Sequence, residues 1–302
     1  MKNVLIIGLG AVGCAVASRF VDAGYSISAL CDKERKRRYE KNNFIINGKK
    51  YTFDYVTPES YGKIADLVLV VTKYHSLKDA ICELDKVIGE NTVVFSMLNG
   101  IDSEQIIGEQ VGMEKVMYGY TYKNDATKVG NTCNFASKEI IAFGEKNGEV
   151  TKRVKMMMEI FEKANISYEL SQDILTSQWW KYMMNIGYNQ VSCVLKATYS
   201  TFQNCKATRD IADLAMGEAI KVANAEGINL VKEDIAKAHQ AVLGLAGEGK
   251  TSMLQDMEAK RKTEVEMFAQ TLCQIAEKHG IDTPVNQALL YQIKTLEYLY
   301  DK

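Results

Sequence analysis

The chain opens on a run of apolar residues, Val4 to Ile7, and then changes pattern abruptly. Gly8-x-Gly10-x-x-Gly13 follows, after which apolar positions recur at helical spacing through Phe20 and Val21. A short unbroken apolar run reads as a strand buried on both faces. The 3.6-residue recurrence reads as an amphipathic helix. The alternation continues, with strands predicted over Ser26–Cys31, Asp66–Thr72, Thr92–Leu98, Val116–Tyr122, Ile140–Phe143 and Ile166–Leu170. Helices are predicted over Leu77–Leu84, from Asp102 onward, and over Val150–Ala164. Asn47-Gly48, between Phe44–Ile46 and Tyr51–Tyr55, marks a hairpin. Strands alternating with helices predict a doubly wound α/β sheet.

From Asp173 the period is helical almost throughout. Helices are expected over Asp173–Val194, Thr208–Glu226, Glu233–Gly244, Met253–His279 and Pro284–Tyr300. The last opens Asp282-Thr283-Pro284, a capping residue followed by proline in the first turn. The expected fold is an N-terminal Rossmann-type doubly wound sheet plus an all-α C-terminal domain. Residues 1–172 would bind a dinucleotide, and residues 173–302 would supply substrate-binding and catalytic groups. Reactants in such a sheet meet outside the carboxyl ends of the strands.

Composition narrows this further. A length of 302 residues suffices for two domains with real cores. Apolar residues make up 47% and charged residues 25%, an ordinary globular balance. A net charge of −1 gives no broad attraction to nucleic acid or an anionic membrane. No apolar run approaches a membrane span. A strand at residue 4 leaves no room for a signal peptide. Seven cysteines, an odd number with no C-x-x-C, fit free thiols in a reducing cytoplasm. Three histidines at no metal-binding spacing predict no metal site.

The glycine motif has a physical reading. Gly8 permits the tight turn, Gly10 lets the backbone approach a pyrophosphate, and Gly13 lets the helix pack on the strand. The helix start then turns its N–H groups toward the diphosphate. Gly8, Leu9, Gly10, Ala11, Val12 and Gly13 are therefore the expected cofactor-binding segment, for a nicotinamide or flavin dinucleotide. Asp32 ends the second strand, where a carboxylate accepts the ribose hydroxyls and repels a 2′-phosphate, which favours NAD. Lys33, Arg35, Lys36, Arg37 and Arg38 follow at once. They are either a clamp for a 2′-phosphate or a solvated helix face. Lys73, just past the next strand, is either a phosphate or ribose ligand or a surface lysine.

Three further clusters carry candidate chemistry. Lys181, Asn185 and Asn189 recur every fourth residue among Trp, Tyr and Met, so they share one helix face. Buried lysine and asparagine are costly without partners, which favours function over a snorkelling lysine beside interface amides. Ser252-Met-Leu-Gln255-Asp256, with Glu264 beyond, reads locally as a capping box and a solvated helix face. Asn99-Gly100 reads either as a hairpin turn or as a turn into a helix at the sheet's carboxyl edge.

Taken in order and spacing, these residues resemble the ketopantoate reductases (2-dehydropantoate 2-reductases) over essentially the whole chain. The resemblance rests on the glycine motif, Lys73, Asn99-Gly100, the Lys181–Asn185–Asn189 ladder, and Ser252-Met-Leu-Gln-Asp256 with Glu264. It implies reduction of ketopantoate by NADPH to D-pantoate, in pantothenate biosynthesis. Lys181 would be the general acid, held and tuned by Glu264. Asn99, Asn185, Asn189 and Ser252 would bind substrate. Asp256 and Asn99 would also stand at the cofactor boundary. Three positions depart from the family pattern. Asp32 stands where arginine is usual, Gln190 where proline often is, and Tyr199 where a further substrate asparagine is expected. Similar relatives are NAD-dependent D-2-hydroxyacid dehydrogenases of branched or aromatic 2-keto acids. Trp180, Tyr188 and Tyr199 would then line an apolar pocket or simply fill the core. A reading of another class is a non-catalytic dinucleotide sensor. The expected partners are a small 2-keto acid and a second copy of the chain in a homodimer.

Overall fold

The computed structural model describes residues 3–123, 125–136 and 139–301. The chain forms two compact units, divided between Ile174 and Leu175.

The first unit is built on an eight-stranded sheet. Its strands are β1 (Val4–Ile7), β2 (Ile27–Leu30), β5 (Asp54–Val56), β6 (Ala65–Val70), β7 (Ile88–Ser96), β8 (Val116–Tyr122), β11 (Ile140–Gly144) and β12 (Ser167–Leu170). They lie in the order β12-β11-β8-β7-β6-β1-β2-β5, all neighbours parallel except β11 against β8. β1 pairs with β2 on one side and β6 on the other, and the strand order reverses at this point. Alternate residues of the central strands serve opposite faces. Val4, Ile6, Leu67 and Leu69 join one buried cluster with α1 (Ala11–Asp22) and α6 (Lys152–Lys163). Leu5, Ile7, Val68 and Val70 join the other, with α4 (Leu77–Ile81) and α5 (Ser103–Val111). Burial on both faces is why these strands read as unbroken apolar runs. The surface elements α2 (Lys33–Lys41) and α3 (Pro58–Tyr61) complete this layer.

A second, four-stranded sheet was not foreseen from sequence. Its order is β4-β3-β10-β9, from β3 (Phe44–Ile46), β4 (Lys49–Tyr51), β9 (Thr127–Val129) and β10 (Thr132–Asn134). Asn47-Gly48 does turn a hairpin, pairing Ile46 with Lys49. The second arm, however, ends at Tyr51, and Asp54–Val56 crosses to the main sheet. The strand expected over Thr92–Leu98 is Ile88–Ser96, and the helix expected to Leu84 stops at Ile81.

The second unit is helical. It contains α7 (Ile174–Met184), α8 (Gln190–Leu195), α9 (Tyr199–Asn204), α10 (Lys206–Ala225), α11 (Glu233–Leu243), α12 (Ser252–Glu258), α13 (Thr271–Lys278) and α14 (Pro284–Tyr298). Two expected long helices are interrupted. A π-turn, Asn185–Asn189, separates α7 from α8. The helix predicted over Met253–His279 breaks after Glu258 and resumes through a second π-turn, Glu266–Gln270. The α14 cap also differs. The Thr283 hydroxyl turns to Cys273 Sγ, and Glu218 of α10 instead accepts from the backbone N–H groups of Val285 and Asn286 (2.9 and 3.0 Å). A carboxylate from a neighbouring helix thus satisfies the α14 N-terminus.

Candidate active site

The glycine segment links β1 to α1 at the point where the strand order reverses. Gly8 has φ +103°, and a Cβ there would lie 2.6 Å from the Val71 carbonyl oxygen. A Cβ on Gly13 would stand 1.9 Å from the Gly8 carbonyl oxygen. Helix and strand therefore touch only because these residues lack side chains. Gly10 differs: a Cβ there would meet no protein atom within 4 Å. Its outer side is open where a diphosphate would approach the start of α1, and α1 carries no acidic residue in its first turn. This loop fits a dinucleotide.

The loop is held from behind. Lys128 of β9 donates to the Leu9 carbonyl (2.5 Å) and lies over the Phe44 ring, 4.9 Å from its centroid. Cys14 Sγ also donates to Leu9 O, and Cys133 Sγ of β10 to Ala11 O, each at 3.4 Å. Sequence reasoning missed Lys128 and Cys133, because nothing local ties residues more than a hundred positions away to a glycine loop.

Asp32 caps α2, accepting from the Arg35 backbone N–H at 2.6 Å, with Arg35 Nε 3.5 Å from its other oxygen. The basic run is a surface helix with no buried residue. Lys73 is exposed, directly after β6. Asn99-Gly100 is not a hairpin: it leads from β7 into α5, with Gly100 at φ +95°. Asn99 is half-buried there. Ser96 and Ser103 brace that loop through a 2.8 Å hydroxyl pair, and the Tyr74 hydroxyl donates to Asp102 (2.5 Å).

The second unit gathers Lys181, Glu264, Asn185, Asn189 and Ser252. Burial pushes the Lys181 ammonium down to about 8, and the charge of Glu264 opposes that shift. Glu264 is itself buried, two residues before the second π-turn. Tyr182, next to Lys181, donates its buried hydroxyl to the Phe268 carbonyl of that turn (2.7 Å), tying the lysine's helix to the glutamate's segment. The amides are wired in series. Asn189 Oδ1 accepts from the Ser252 hydroxyl and the Met253 backbone N–H, each 3.3 Å, and Asn189 Nδ2 donates to Asn185 Oδ1 (2.8 Å). That bond engages Asn185 Oδ1 and leaves Asn185 Nδ2 to act as a donor.

Ser252 is not the cap of α12. Thr251 is, accepting from the Leu254 N–H, so Ser252 is exposed and its hydroxyl is free of capping work. Adjacent Thr and Ser are both favoured caps, serine somewhat more so, and local preference alone points to the wrong one here. Asp256 is buried and ion-paired with Arg261 (2.8 Å). Gln190, where the resemblance expects proline, is buried, and its amide donates to Ile186 O and Asn286 Oδ1. Tyr188 lies in the core, while Trp180 and Tyr199 are half-buried. Among the described residues no His/Cys/Asp/Glu cluster is placed to hold a metal ion, and no helix is long and apolar enough to cross a membrane.

Comparison with known proteins covers both units. A family model described as "Ketopantoate reductase PanE/ApbA" matches residues 4–148, and one described as "Ketopantoate reductase PanE/ApbA C terminal" matches residues 173–297. The chain is 25% identical to a 2-dehydropantoate 2-reductase of Archaeoglobus fulgidus over 98% of each chain. The fold is similar to that of D-mandelate dehydrogenase bound to NADH and anilino(oxo)acetate, at TM-score 0.89, 21% identity and full coverage of both chains. It is also similar to that of a dimeric ketopantoate reductase from Staphylococcus aureus, at TM-score 0.82, 18% identity and 99% coverage of each.

Proposed function

We propose, because this chain belongs to the ketopantoate reductase family, that it reduces 2-dehydropantoate to D-pantoate in the cytoplasm. It is an oxidoreductase using a nicotinamide cofactor. The observation that carries the finer reading is Lys181, a lysine with its pKa lowered to about 8 in a setting that also holds Glu264 and two aligned amides. A dinucleotide sensor has no use for a half-buried ammonium whose proton is loosened, whereas a carbonyl reductase needs one.

When bound, a reduced nicotinamide supplies hydride to the carbonyl carbon. Lys181 Nζ delivers the proton to the carbonyl oxygen and stabilises the negative charge that develops there. Glu264 keeps that ammonium charged and oriented. The Asn185 amide and the Ser252 hydroxyl donate to the substrate's carboxylate and hydroxyl. Asn189, its carbonyl already engaged by Ser252 and Met253, acts chiefly by aligning Asn185. Asp256 is held in place by its ion pair to Arg261. Gly8 through Gly13, Asp32, Lys73 and Asn99 hold the cofactor.

A second reading is supported by Asp32, which sits at the ribose-discriminating position and favours NADH. It makes the enzyme an NAD-dependent D-2-hydroxyacid dehydrogenase of branched or aromatic 2-keto acids, and the likeness to D-mandelate dehydrogenase accords with it. Steady-state kinetics separate the two. Efficient 2-dehydropantoate turnover with NADPH supports the first. Preference for NADH and bulkier 2-keto acids, with 2-dehydropantoate poor, replaces it. A homodimer is the expected assembly, and a mass of one chain by light scattering would refute that.

A further inference from the structure

We propose that Tyr188, His239 and Asp213 form a hydrogen-bonded brace that sets the π-turn Asn185–Asn189 and thereby aims Asn185 at the substrate. The inference rests on the reductase reading for what the turn presents, but the brace itself is read from geometry.

Tyr188 sits inside the π-turn, 3% exposed. Its hydroxyl lies 2.6 Å from His239 Nδ1 on α11, and His239 Nε2 lies 2.6 Å from Asp213 Oδ1 on α10. The direction of the bonds follows from the end group. In a neutral imidazole whose Nε2 donates to the Asp213 carboxylate, Nδ1 accepts and Tyr188 donates. Three successive residues of the turn are then pinned by different elements. A Cβ on Gly187 would lie 2.7 Å from Met216 Cγ, which fixes the turn close to α10. Tyr188 is fixed to α11 through its hydroxyl. Asn189 is fixed to the start of α12 through Ser252 and Met253.

A phenylalanine would pack against Phe202 as the tyrosine ring does, edge-on at 5.0 Å. The hydroxyl is therefore not needed to fill the core. It supplies direction, which matters because a π-turn departs from regular helical bonding and is characteristic of functional segments. Asn185 lies three residues before Tyr188 and has its carbonyl held by Asn189 one residue after. A shift of the turn changes where the Asn185 donors point without touching Lys181 or the cofactor loop. Tyr188, His239 and Asp213 are thus positioning residues.

The test uses the full-length enzyme with 2-dehydropantoate and a saturating nicotinamide cofactor. Tyr188→Phe and His239→Leu are expected to raise KM for the keto acid about tenfold, with kcat changed less than about threefold and cofactor KM unmoved. His239→Asn, whose Oδ1 can still accept from Tyr188, should recover most of the loss. His279→Gln removes a comparable surface pair with Glu226 and should change nothing. Hydrogen exchange of the peptide spanning 184–191 should rise in Tyr188→Phe. Unchanged KM in both Tyr188→Phe and His239→Leu overturns the proposal. So does unchanged exchange, a readout that also decides the case if the wild type reduces no 2-keto acid and the reductase reading fails. If His239→Leu does not fold, Tyr188→Phe still gives both readouts.

Discussion

An ammonium partly withdrawn from water releases its proton more readily than one in bulk solvent, and desolvation pushes Lys181 down to about 8 from its ordinary 10.5. The proton is held below pH 8, so keto-acid reduction should be level there and decline as pH rises through about 8. Oxidation of the hydroxy acid needs the free amine and should rise through the same range. Stability runs in parallel. Between about 8 and 10.5 the unfolded chain binds more protons than the native one, so native stability increases with pH across that window. Below it, holding the charge inside costs roughly 3 kcal/mol. Lys181→Met should therefore lower kcat at least ~100-fold while raising the melting temperature at neutral pH. Activity without that loss would remove Lys181 from catalysis. Asp32→Ser tests the other end of the chemistry. It should shift the NADPH:NADH preference in kcat/KM about tenfold toward NADPH, with only a few tenths of a kcal/mol lost, since serine also caps. The glycines and Lys181 were legible in the sequence because turn sterics and a polar face within one helix are local facts. Lys128 and Thr251 were not. One acts across the fold, and the other competes with a neighbour that is also a favoured cap.

Helix phase decides what a four-residue spacing means. The Lys181–Asn185–Asn189 recurrence was visible, but the π-turn over its second half was not, since an apolar pattern reports which face is buried and not whether the helix widens by one residue. The same limit hid the break in Met253–His279, which places Glu264 at the start of a new segment. Both irregular turns occur beside the candidate catalytic residues. The α14 cap shows a related limit: Thr283-Pro284 is a good local start signal, yet Glu218, more than sixty residues earlier, does the capping. Glu218→Ala should cost about 2–4 kcal/mol, because it strands two backbone N–H groups and removes one of the two bonds of the Asn286 amide nitrogen. Glu218→Gln should cost less. Chemical denaturation of the three proteins measures the order, and equal stability would deny the cap.

The chain divides into two compact units. Alternation of strand and helix, then helix alone, was enough to predict that organisation. The small β4-β3-β10-β9 sheet escaped because its strands are three residues long and partly exposed. A dinucleotide that binds the native first unit should raise its melting temperature, by about 2.7 kcal/mol of stabilisation at a hundredfold excess over Kd. Calorimetry with NADH and NADPH in turn would then rank the two cofactors without any substrate, and no shift with either would contradict the cofactor site. The small sheet bears on how that binding feels to the ligand. Lys128 and Cys133 draw the Leu9 and Ala11 carbonyls backward, so the loop has its shape before anything arrives. A pocket that needs no ordering loses little entropy on capture. Titration calorimetry should show this as a modest entropic term, and Lys128→Met should worsen that term while leaving the loop sequence itself untouched.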